Sequence, residues 1–138
     1  MGFARVKWVE KFQFVGIDST RHSVVLSSPD EENGIGMKPS DLLLVALGAC
    51  TAYDVVNILT KKRQRITGLE VEVSGEQQPE PPWKFTRIHL TYRVRGRGLD
   101  EKAVQDAIEL SKNRYCSVGA SLSETTEVTY GYILEEEL

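Results

Sequence analysis

The segment SDLLLVALGACTAYDVVNIL, Ser40 to Leu59, restricts the possible folds more than any other part of the chain. Its N-terminal half is apolar on every side, and a helix without a polar face must be covered all round. Pro39 and Ser40 mark the start: a serine at the N-cap accepts a bond from an orphan backbone N–H, and Asp41 in the first turn complements the helix dipole. The end is expected near Lys62 or Arg63, where positive charge suits a C-terminus. In a chain of 138 residues, close to the usual size of one domain, a single sheet covers only part of such a helix. A second copy of the chain covering the rest and one well-wrapped central helix in a monomer both satisfy this constraint. The longest nearly unbroken apolar run, Leu42 to Tyr53, is too short to span a bilayer, so no membrane partner is expected.

The flanking segments alternate with period two. ARVKWVEKFQFVG predicts one or two half-buried strands and HSVVLSS another, before a PDEENGIGMKP loop. After a turn expected at Gly68, LEVEVSGE sets Leu69, Val71 and Val73 against Glu70 and Glu72. KFTRIHLTYRVRGRG places Ile88, Leu90, Tyr92 and Val94 on one side and is a natural antiparallel neighbour. A second helix begins after Asp100, a credible N-cap, with Ala103, Val104, Ala107, Ile108 and Ser111 on its packed face. Cys116 falls at or just past its end, and EVTYGYIL closes the chain as a strand. This order predicts a single α+β domain over residues 1–138, antiparallel sheets packed on two main helices.

Seventeen Lys and Arg against twenty Asp and Glu, a net charge of −3, argue against a nucleic-acid or anionic-membrane surface as the main partner. The opening MGFARVKWVEKF interrupts its apolar residues with charges, so a secretory leader is not expected and the cytoplasm is. Two cysteines 66 positions apart form neither a disulfide framework nor a CxxC motif. His22 and His89 stand far apart without a partner at ligand spacing, so no metal is expected. No G-x-S-x-G and no G-x-G-x-x-G occurs, which leaves a serine hydrolase and a nucleotide cofactor without support.

Cys50 is the remaining chemical candidate. A free thiol titrates near ~8.5, and apolar burial raises that further, so reactivity needs a cation. The helix N-terminus cannot serve, being some ~15 Å away at 1.5 Å per residue. Helical spacing places Leu43, Leu47, Tyr53 and Asp54 on or near the Cys50 face. Asp54 alone would oppose thiolate formation, so a basic side chain is required between them; Arg21, Lys38 and Arg114 are the candidates, in that order. An arginine suits best, being able to fork to carboxylate and thiolate together. Each cysteine also has an inert reading as a small core hydrophobe, and the two could meet as attacking and resolving partners.

The segments KPSDLLLVALGACTAYDVV and LSKNRYCSVGASL resemble the two signature regions of the OsmC/Ohr family, the osmotically inducible protein C and organic hydroperoxide resistance proteins, most of all its generic OsmC-like branch. The resemblance extends through nearly the whole chain in element order. It implies an intertwined α+β homodimer with active sites at the subunit interface and thiol peroxidase chemistry on organic hydroperoxides. By motif, Cys50 would be the peroxidatic thiolate and become a sulfenic acid, Cys116 would resolve it to a disulfide, and an external thiol, in the family often a lipoyl one, would regenerate the pair. Arg21 would supply the cation. Pro39 keeps the family's place eleven residues before the first cysteine, Ser40 stands where the family has Glu, and the acid comes one later as Asp41. Asp41 and Asp54 would be supporting residues, and Leu43, Leu47 and Tyr53 the apolar lining that favours an alkyl hydroperoxide. The alternative reading is a dimeric module that binds a small apolar ligand and keeps its cysteines for structure.

Overall fold

A computed structural model describes the whole chain, Met1–Leu138. It divides into two compact units, Met1–Leu43 and Leu44–Leu138.

The first unit is an antiparallel meander of β1 (Ala4–Glu10), β2 (Gln13–Asp18) and β3 (Ser23–Ser27) in the order β1-β2-β3. β1 is exposed along its whole length, Val6, Trp8 and Val9 included. Leu26 and Ser27 on β3 and Gln13 on β2 are buried. The loop after β3 is folded back by buried Asn33, whose backbone N–H and side-chain amide both donate to Asp30, at 3.0 and 2.8 Å. Its own carbonyl accepts from the Phe12 N–H at 3.2 Å. A parallel bridge between Leu26 and Met37 then delivers the chain to the first helix.

That helix, α1, runs Pro39–Lys61. Proline suits a first helical position because its missing N–H would have no partner there. Ser40 therefore lies inside the first turn rather than capping it. The helix has 23 residues and is long and apolar enough by length and composition to cross a bilayer. The run Leu42–Tyr53 taken alone hides this because Asp54, Asn57 and Thr60 interrupt the apolar residues beyond it. Here Leu47, Val55 and Leu59 are buried in a protein core, and the close approach to the sheet is made at Gly48, where an added Cβ would stand 3.0 Å from Val73.

The second unit is built on β4 (Arg65–Gln77), β5 (Phe85–Arg97) and β6 (Glu127–Glu136), in the order β4-β5-β6. The expected turn at Gly68 is corrected: Gly68 sits inside β4 at a pairing irregularity, and the chain reverses earlier, near Arg63 with φ 57°. β5 pairs antiparallel with β4, as the alternation predicts, but parallel with β6. The expectation of purely antiparallel sheets is therefore also corrected. Parallel neighbours need a crossover, and the helical segment after β5 supplies one. On central β5, Ile88, Leu90, Tyr92 and Val94 are wholly buried and join the α1 residues in one core; each such side chain contributes about 1.5–3 kcal/mol.

The crossover begins with α2 (Glu101–Leu110), capped by the Asp100 carboxylate, which accepts from the Lys102 N–H at 3.1 Å. Ala103, Val104, Ala107 and Ile108 are buried on its packed face. A π-helical turn, Ser111–Tyr115, continues it and is closed by the Cys116 N–H donating to the Ser111 carbonyl at 2.9 Å. The short α3 (Ser117–Leu122) has Cys116 as its N-cap.

Candidate active site

The two free cysteines lie in the second unit. Cys50 is half-buried in the middle of α1, and Cys116 is buried between the π turn and α3. Both belong to the same packed cluster. The Cys116 thiol is pushed up to about 11, first by burial and then by the side chain of Cys50; the Gly119 N–H, donating to Cys116 Sγ at 3.3 Å, acts in the opposite direction. The negative charge of Asp54 adds a smaller upward push. The sequence leaves open whether the two thiols meet, and the fold makes them neighbours.

Asp54 lies one helical turn beyond Cys50, and its carboxylate meets a hydroxyl rather than a cation. Ser111 Oγ donates to Asp54 Oδ2 at 2.8 Å and lies 2.8 Å from Thr51 Oγ1, which is 2.7 Å from Tyr92 Oη. Ser111 has one hydroxyl proton and gives it to Asp54, so its oxygen must accept from Thr51, and Thr51 in turn from Tyr92. The result is a directional chain, Tyr92 to Thr51 to Ser111 to Asp54. Its first three members are buried. Burial, more than any other cause, holds the Tyr92 phenol well above its usual range, which keeps it the proton donor at the head.

The remaining predicted residues are distributed differently. Leu47 is buried in the core, whereas Tyr53 is 72 % exposed and lines an open groove of about 630 Å³ with Ala49, Ala52, Val56 and Leu69. Leu47 and Tyr53 project from different sides of α1, and Leu43 is a half-buried residue of the first unit. Asp41 pairs with Lys38 at 3.7 Å across exposed surface, a contact of small energetic value. Arg114 places its guanidinium over the Tyr115 ring at 6.0 Å.

Arg21 belongs to the first unit and is exposed on the turn between β2 and β3 with φ 68°. Asp18 organises that turn by accepting from the N–H groups of Thr20 and His22 at 3.0 and 2.9 Å and from the Thr20 hydroxyl at 2.8 Å. These bonds hold the Asp18 carboxyl below its usual range, the His22 backbone bond first among them.

Sequence reasoning did not single out Thr51, Tyr92 or the polar role of Ser111. The available signal was Ser111, a hydroxyl at a core position of an amphipathic helix, since buried hydroxyls need partners. Thr51 beside Cys50 is its natural match.

With this geometry in view, the family model described as OsmC-like protein matches residues 16–131. The chain belongs to the OsmC-like family. Protein YhfA of Escherichia coli (strain K12) is 38% identical over 129 residues, 94% of this chain and 95% of that protein. A crystal structure from Aquifex aeolicus superposes with a TM-score of 0.89 at 25% identity, covering 100% of this chain and 98% of that one. The organic hydroperoxide resistance protein OhrB of Bacillus subtilis gives 0.65 at 14% identity over 96% and 98%, a likeness of fold. The OsmC-like fold thus sets α1 and the π turn where the two cysteines adjoin.

Proposed function

We propose that this OsmC-like protein is a thiol peroxidase that reduces organic hydroperoxides. The observation that carries the reading is the placement in one packed cluster of two free thiols from distant parts of the chain, one on α1 and one at the π turn. The Cys50 thiolate attacks the peroxide oxygen. The O–O bond breaks, the alkoxide leaves and takes a proton as the alcohol, and Cys50 becomes a sulfenic acid. Cys116 then attacks that sulfur, water leaves, and a disulfide remains. An external thiol, of lipoyl type in the resemblance, returns both cysteines to thiols by exchange in a reducing compartment such as the cytoplasm.

The organic hydroperoxide resistance proteins among the structural neighbours support this reading at the level of fold. The groove on the outer side of α1, with Val45, Tyr53 and Val56 exposed, supports a homodimer in which a second copy covers the apolar helix. Arg21 is assigned the role of the cation.

The test treats reduced protein with one equivalent of cumene hydroperoxide and reads the intact mass. The wild type should lose two hydrogens, and Cys116→Ser should gain oxygen on Cys50. Thiols that survive treatment sufficient to oxidise free cysteine would replace this reading with that of a module holding an apolar ligand in the α1 groove.

A further inference from the structure

Ser111 stands out among the buried groups that the peroxidase steps do not use. It is wholly buried and gripped from two sides by α1, at Thr51, next to Cys50, and at Asp54, one turn beyond it. Its carbonyl also accepts the Cys116 N–H that closes the π turn. One residue is therefore tied by its side chain to the helix that carries Cys50 and by its backbone to Cys116. A π turn inserts a residue into the helical ladder and is sustained only where its surroundings hold it. The Thr51 and Asp54 bonds are such a hold, and Tyr92 anchors Thr51 from the sheet.

We infer that Ser111 is the positioning residue of the resolving step, a latch between α1 and the π turn that keeps the Cys116 thiol presented to Cys50. The step it serves is condensation of the Cys50 sulfenic acid with the Cys116 thiol: the S–S bond forms, the S–O bond breaks, and the thiol proton leaves with the hydroxide as water. The oxidising equivalents come from the organic hydroperoxide. In this form the inference rests on the peroxidase reading. The latch itself makes a claim that needs no peroxide, namely that the hydroxyl raises the tendency of the two thiols to form a disulfide.

The experiment measures the Cys50–Cys116 disulfide equilibrium in glutathione redox buffers for the wild type, Ser111→Ala, Thr51→Val, Thr51→Ser and Thr126→Ala. Thr126 is buried and donates to the Phe85 carbonyl at 3.1 Å, so it controls for the loss of any buried hydroxyl. Ser111→Ala and Thr51→Val should each weaken the disulfide about tenfold, close to 30 mV. Thr51→Ser, which keeps the hydroxyl, and Thr126→Ala should stay within about twofold. With cumene hydroperoxide, Ser111→Ala should also accumulate a dimedone-reactive sulfenic acid, since a misplacement of about 1 Å is enough to slow such a step up to a hundredfold.

An unchanged equilibrium in Ser111→Ala overturns the latch, as does an equal shift in Thr126→Ala or a wild type that forms no disulfide. If Ser111→Ala does not fold, the comparison of Thr51→Val with Thr51→Ser decides alone. Should the wild-type thiols ignore peroxide while the glutathione shifts appear as expected, the peroxidase reading falls and the latch stands.

Discussion

Replacing Thr51 by valine keeps the side-chain shape and removes the middle hydroxyl of the buried chain, which tests whether that chain is directional. The change deletes the contacts at 2.7 Å to Tyr92 and 2.8 Å to Ser111. Ser111 keeps its donation to Asp54, so its loss is limited to about 1 kcal/mol. Tyr92 is wholly buried and its hydroxyl has no other partner; the orphaned donor costs about 1–3 kcal/mol more. The expected total is about 3 kcal/mol, a large share of the ~5–15 kcal/mol typical of a domain. With a slope of about 1.5–2 kcal/mol per M, the urea midpoint should fall by roughly 1.5–2 M. Tyr92→Phe alone leaves Thr51 still donating to Ser111 and should cost about 1 kcal/mol. In the double variant no donor is stranded, so the total should be about 1.5 kcal/mol, less than for Thr51→Val by itself. The assay is urea unfolding monitored by circular dichroism at one fixed protein concentration, because association would otherwise shift the midpoints. Simple addition of the two costs, or further loss when Tyr92→Phe is added to Thr51→Val, would refute the reasoning.

Other perturbations have equally definite outcomes. Cys116 has its thiol raised from the ordinary 9.0 to about 11, so between those values the unfolded chain has lost a proton that the folded chain still holds. Its contribution is complete below pH 9 and is lost as pH rises through 11; the thermal midpoint should fall more steeply over that window in the wild type than in Cys116→Ala. An added Cβ at Gly96 would collide with the Arg65 carbonyl oxygen, a backbone atom that cannot yield without moving β4, so Gly96→Ala should cost more than about 3 kcal/mol in urea unfolding. Arg21→Ala should slow cumene hydroperoxide consumption by about a hundredfold or more with an unchanged circular dichroism spectrum, and an unchanged rate would pass the cation role to Lys38 or Arg114.

Most elements are legible in the residues because local chemistry determines them. Pro39 opens α1, Asp100 caps α2, and the alternation from Ile88 to Val94 gives both the strand and its buried face. The direction of β6 is not legible, since EVTYGYIL reads the same either way and only the crossover decides from which end the strand enters. Gly68 misleads because a glycine inside a strand at a pairing irregularity carries the same local mark as one in a turn. At the candidate site the cysteines identify themselves by chemical type. Their adjacency does not, because it depends on how α1 packs against the end of the crossover at SKNRY, a stretch with no distinctive composition. The hydroxyl chain stays hidden for a related reason: its members come from three elements, and each alone is an ordinary strand or helix residue.

The surplus residue in the Ser111–Tyr115 turn has a consequence for comparing sequences across this fold. Each residue of an α-helix advances the chain by about 100° around the axis. Four such residues and the five of the π turn carry the chain through nearly the same angle, so a chain that lost one position between Ser111 and Cys116 would close the turn on the same carbonyl with a four-residue bond and keep its second sulfur facing the first. Such a chain, aligned cysteine to cysteine with a single gap, would still hold its two thiols together, so one missing position in this short stretch is no sign of lost chemistry.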